Sequence, residues 1–92
     1  MIIRIFSDGQ YRVPDSAMAR INELDAQALA AVEAGDEEGF ESTYTALVDE
    51  VHTTGERLDD DDLSPSDLML PPADISFEEA QQEFTGEGLI PD

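Results

Sequence analysis

The apolar pattern of the chain changes period at Pro14. Before it, Met1–Val13 (MIIRIFSDGQYRV) carries two short apolar runs, Met1–Phe6 and Gln10–Val13, around Ser7-Asp8-Gly9. After it, apolar residues recur at helical spacing through two stretches that stop at Gly35 and Gly55. Side chains repeat every two residues in a strand and about every 3.6 in a helix. The chain is therefore read as an α+β fold, a β-hairpin packed on a pair of antiparallel helices.

Asp-Gly between β-rich runs is a hairpin signal. A two-residue Asp8-Gly9 turn puts Phe6 opposite Tyr11 and Arg4 opposite Val13. A three-residue Ser7-Asp8-Gly9 loop with Gly9 left-handed pairs Ile5 with Tyr11 and Ile3 with Val13 instead. We prefer the second, which gathers Ile3, Ile5, Tyr11 and Val13 on one apolar face, although it sets Arg4 opposite Arg12. The free edge at residues 10–13 carries only Arg12 and Pro14 against self-association, so a homo-oligomer through that edge is open. A two-stranded hairpin is marginal in water, so other elements must cover it.

Asp15 or Ser16 can cap a helix that starts after Pro14. Its stripe is Ile21, Leu24, Ala28 and Ala31, widened by Met18, Leu29 and Val32, and Gly35 supplies a left-handed stop. Asp36 can cap a second helix at once, with Glu37 and Glu38 against its positive end. Phe40, Tyr44, Leu47, Val48 and Val51 form its stripe, and Gly55 ends it as Gly35 ends the first. Residues 1–55 are thus the core of one domain.

Residues 56–66 hold four consecutive aspartates, Asp59–Asp62, and read as a solvated acidic linker. They are not a calcium loop, because the twelfth position of each register is Leu70, Pro71 or Pro72 in place of glutamate. Residues 67–92 form a C-terminal segment docked on the core. Residues 67–70 are either a helical turn or a third short strand. Ser76-Phe77-Glu78-Glu79 is a capping box that opens a helix to about Phe84. Leu89 and Ile90 make an apolar tip suited to docking, on this chain or on a partner.

Ninety-two residues bury only about 60–65% of their unfolded surface, enough for one modest core. Without cysteine there are no disulfides or thiolate sites, and neither a signal peptide nor a membrane span is evident, so a cytoplasmic setting is expected. Twenty-three Asp and Glu face four Arg and no Lys, a net charge of −19. Direct binding to nucleic acid or anionic lipid is disfavoured by that balance. It fits either a basic partner or a salt-rich cytoplasm of the haloarchaeal kind, where the Debye length falls to about 3 Å near 1 M. The salt reading is preferred, since the acid is spread along the whole chain. It predicts a urea midpoint that rises steeply between dilute buffer and molar KCl, and a flat dependence contradicts it.

Catalytic chemistry finds little support. His52, the only histidine, reads as a boundary residue near a helix C-terminus, because residues along one helix do not assemble a triad. Phe40 and Tyr44 read as core. No cofactor or metal is expected. Arg4 and Arg12, with Ile2 and Phe6, form either a basic, partly apolar interaction patch or an internal brace to C-terminal carboxylates. We favour the brace, and keep Ile2, Arg4, Phe6, Arg12, Leu89 and Ile90 as candidate partner-binding residues.

The ordered segments Met1–Ile5, Gly9–Val13, Asn22–Asp25, Ala31–Asp36, Pro65–Leu68, Leu70–Asp74 and Glu87–Pro91 resemble the phage-shock-protein-A-associated domain family, PspAA. The resemblance implies a non-enzymatic cytoplasmic protein of bacteria or archaea. It also implies a partner, PspA, a coiled-coil membrane-remodelling protein related to ESCRT-III, assisted or regulated in the envelope stress response. The membrane is then reached only through that partner. From the residues alone, an acidic transcription accessory or nucleic-acid mimic that binds a basic regulator is the alternative.

Overall fold

A computed structural model describes residues 1–59 and 61–84. In chain order the elements are β1 (Ile2–Ile5), β2 (Gly9–Arg12), α1 (Asp15–Ala34), α2 (Glu37–Thr54), β3 (Glu56–Arg57), β4 (Leu68–Leu70) and α3 (Phe77–Glu83). The four strands form one mixed sheet in the order β3-β2-β1-β4. Ile3, Ile5, Tyr11, Val13, Leu68 and Leu70 are buried on one side of it, against the two long helices. The fold is α+β, as the period change at Pro14 requires.

The hairpin register differs from the expected one by two residues. Ile3 pairs with Tyr11, Arg4 with Gln10 and Ile5 with Gly9, and Val13 N–H donates to the Met1 carbonyl at 2.7 Å. Arg4 therefore does not face Arg12, whose partner is Ile2. A shift of two keeps every side chain on its own face, so the predicted apolar set is buried regardless. The turn is Phe6-Ser7-Asp8, closed by Asp8 N–H donating to the Ile5 carbonyl at 3.1 Å. Its left-handed residue is Ser7 (φ 68°), not Gly9. Contacts of Asp8 with distant residues, described below, hold this turn in place.

Helix α1 begins at Asp15 with Pro14 as its N-cap and no side-chain cap. Asp15 and Ser16 lie inside the first turn, and the Pro14 carbonyl accepts from Ala17 N–H at 3.0 Å. At the other end Gly35 (φ 72°) gives the expected left-handed stop. Gly35 N–H reaches the Val32 carbonyl and Asp36 N–H the Ala31 carbonyl, a Schellman motif. Asp36 then opens α2, its carboxylate accepting from Gly39 N–H at 2.9 Å. With only Gly35 and Asp36 between them, the helices run antiparallel. The α2 stripe is buried as predicted. On α1 the buried set is Ala17, Ile21, Leu24, Ala28 and Val32, joined by Asp25, which an apolar pattern cannot flag.

Gly55 ends α2 in extended conformation (φ −88°), not left-handed. A Cβ there would lie 2.5 Å from the Val51 carbonyl oxygen and 3.2 Å from Tyr11 Cβ. The glycine is needed for close approach, because the chain turns at once into β3. Glu56 and Arg57 pair antiparallel with Arg12 and Tyr11. The acidic segment thus starts as a strand, and the β2 edge expected to be free is occupied by it. Beyond β3, Leu58, Ser64 and Ser66 bond to Gln10 on the outer side of the sheet, and β4 runs parallel to β1. Residues 68–70 are a strand because Leu68 and Leu70 alternate into the core while Met69 faces out.

Helix α3 closes the helical end of the core. Ser76 caps it, accepting from Glu79 N–H at 3.1 Å, as the capping box predicts. Ala80 and Phe84 are buried in the same core as the two long helices. Phe40 stacks on Tyr44 with ring centroids 5.5 Å apart, and Phe84 meets Phe40 edge-on at 5.5 Å. Among the described residues no helix is long and apolar enough to cross a membrane.

Candidate functional site

The outer side of the sheet carries Ile2, Arg4 and Phe6 from the β1 side, Gln10 and Arg12 from β2, and Met69 from β4. Alternation sends these residues away from the helices. Leu58, Ser64 and Ser66 lie over the middle of the face, and Gln10 organises the cover. Its backbone carbonyl accepts from Leu58 N–H at 2.9 Å, and its side-chain amide donates to the Ser64 carbonyl at 2.7 Å. Its Oε1 accepts from Arg4 Nη2 at 2.7 Å and Ser66 Oγ at 3.1 Å. Gln10 is accordingly buried although it sits on the outer side.

The predicted residues fall into separate groups. Ile2 is half-buried and tied to Asp67, whose N–H donates to the Ile2 carbonyl and whose carboxylate accepts from Ile2 N–H. Arg4 is linked to the covering segment through Gln10. Arg12 is exposed near Asp62. The Asp62 carboxyl is held below its ordinary range first by hydrogen bonds from Ser64 and then by the Arg12 charge. Phe6 lies apart, 47% exposed. Leu89 and Ile90 are outside the described residues.

Beside Phe6 lies Met69, 53% exposed. Together they line a groove of about 330 Å³ with Pro71, Pro72 and Ile75, bordered by Glu79 and Glu83 of α3. Met69 is not among the residues predicted from the sequence, yet alternation in Leu68-Met69-Leu70 points it outward as soon as the segment is taken as a strand. The acidic border had no sequence signal, because only docking of α3 brings it there.

A second cluster fixes the hairpin turn. Asp8 accepts from Tyr11 OH at 2.7 Å, meets His52 Nε2 at 2.5 Å and accepts from Arg57 Nη1 at 3.2 Å. The His52 ring lies 5.1 Å from that of Tyr11. Four residues from three parts of the chain thus converge, with His52 as a structural partner at the end of its helix. The Tyr11 hydrogen bond, followed by the His52 and Arg57 contacts, lowers the Asp8 carboxyl from 3.8 against an opposing effect of burial. Burial and the Asp8 hydrogen bond raise the Tyr11 phenol. A carboxyl lowered on folding contributes stability above its unfolded value and loses it as pH falls through the folded one. Asp8→Asn is therefore expected to lower the urea midpoint near neutrality, with the gap to wild type closing as pH drops below 3.8. A gap that stays constant across that acid range contradicts the assignment.

No curated protein and no solved structure matches the chain at a significant level. The family model of PspA-associated proteins, PspAA, aligns with residues 1–92, and the chain, whose segments resemble that family in order, belongs to it.

Proposed function

We propose that the protein is a non-enzymatic adaptor or regulator of a PspA-like, ESCRT-III-related coiled-coil protein, acting in the cytoplasm and reaching the membrane only through that partner. Family membership supports association with a PspA-like protein. The observation that carries the adaptor reading is the pair Phe6 and Met69, two large apolar side chains left half-exposed side by side on the outer face of the sheet. Surface apolar residues gathered in one groove mark a binding site more often than isolated ones do.

Native mass spectrometry with a PspA-like protein, at low and high salt, tests the reading. A complex at micromolar concentration is expected, and none up to high micromolar contradicts it. Arg4→Glu with Arg12→Glu assigns the arginines. Loss of partner binding with the urea midpoint intact makes them interface residues, and loss of stability makes them a brace. Arg4 donates to the Gln10 amide on the neighbouring strand, an internal contact, in place of the C-terminal carboxylate that the brace expects.

A further inference from the structure

The groove beside Phe6 combines two features that select a ligand. Its floor is apolar, with Phe6 and Met69 exposed and Pro72 and Ile75 half-buried. Its border is acidic. Glu79 and Glu83 are exposed and stand four residues apart on α3, which places their side chains on one face about 5–6 Å apart at Cβ. Among the described residues neither is in an ion pair, although Ser76 Oγ bonds to Glu79 Oε1 at 3.1 Å. A second cavity of about 360 Å³ meets the first at Phe6 and Pro72 and has Asp74 on its wall.

We infer that this groove binds a cationic amphipathic helix of a partner protein, the apolar stripe lying on Phe6 and Met69 and two Lys or Arg one turn apart facing Glu79 and Glu83. The inference rests on the adaptor reading and adds to it the surface and the chemistry recognised. Charge complementarity separates this occupant from the others. A second copy brings another net charge of −19 to an acidic border. The chain's own residues 85–92 contain Glu87 and Asp92 and no Lys or Arg, so they offer nothing to pair with Glu79 and Glu83. Helix-in-groove recognition of this kind reads residues at helical spacing.

The test uses the full chain and a synthetic leucine–lysine amphipathic peptide of about five turns, with its leucine–glutamate counterpart as control. Methyl NMR follows Met1, Met18 and Met69 during titration. The lysine peptide is expected to bind and to move the Met69 signal alone, and the glutamate peptide to leave it in place. Met69→Asp and, independently, Phe6→Ser should weaken binding about tenfold or more with little change in urea midpoint. Glu79→Gln with Glu83→Gln should weaken it several-fold more than Glu33→Gln with Asp49→Asn, which removes equal charge from α1 and α2.

Equal weakening by the two charge pairs makes the attraction bulk electrostatics and overturns the proposal. So does an unmoved Met69 signal on peptide binding. In the free protein, a Met69 shift caused by Leu89→Ser with Ile90→Ser identifies the chain's own tail as occupant. A shift with protein concentration identifies a second copy, and either result overturns it. A PspA-like complex that survives Met69→Asp overturns the groove and leaves the adaptor reading standing. Peptide binding in the groove without any such complex supports the groove while the adaptor reading fails.

Discussion

Tyr44→Ala is expected to cost about 3–5 kcal/mol, a large part of the about 5–15 kcal/mol that holds a domain together. Tyr44 is 1% exposed, stacked on Phe40 and edge-on to Phe84. Its hydroxyl donates to the Pro71 carbonyl, the residue that follows β4. Removing the ring opens a cavity where α2, α3 and the end of β4 meet. Tyr44→Phe keeps the ring but leaves that carbonyl unpaired, at about 1–3 kcal/mol. Urea denaturation separates the two, and a loss below about 1 kcal/mol for Tyr44→Ala contradicts this packing.

The same residue sets an alkaline limit. Burial, with Asp25 and Glu83 adding repulsion, raises the Tyr44 phenol well above 10.0. The unfolded chain loses that proton near pH 10 and the folded chain keeps it. Stability therefore falls as pH rises from the unfolded value toward the folded one. Tyr44→Phe should show a shallower fall over that range.

Leu70→Ala is the second large effect, about 2–5 kcal/mol. Leu70 is fully buried, and its carbonyl accepts from Phe6 N–H at 3.0 Å. It anchors a strand of only three residues, so losing its side chain loosens the attachment of residues 68–70 to β1. Met69→Ala, one residue away and facing outward, should change stability by no more than about 0.5 kcal/mol. The contrast checks the strand directly, since a helical turn at 68–70 would not alternate in this way.

Much of the fold was legible because it rests on local chemistry. The α2 stripe, the Gly35 stop, the Asp36 cap and the Ser76 capping box each depend on residues within a few positions of one another. The faces of the hairpin were legible too, since burial chooses between odd and even registers. Its register within the correct parity was not. Shifts of two leave the same residues buried, and the choice fell to Asp8, held by Tyr11, His52 and Arg57. Strand β3 was hidden for a related reason, because two exposed residues carry no apolar pattern.

Of the candidate surface, Phe6 was named from the sequence and its neighbours were not. Arg4 and Arg12 were taken as one patch, and pairing through the wrong register brought them face to face. In the structure Arg4 works through Gln10, a polar residue buried by a segment that composition marks as linker.

The sequence by itself determined the class of the fold, the two long helices, the apolar face of the hairpin and the acidity of the surface. Each follows from periodicity, capping or charge, which act locally or as sums over the chain. Tertiary structure alone decided the hairpin register, the parallel docking of β4 and the meeting of Phe6 and Met69 beside Glu79 and Glu83. Those depend on which distant residues share a contact, and no local free energy distinguishes the alternatives.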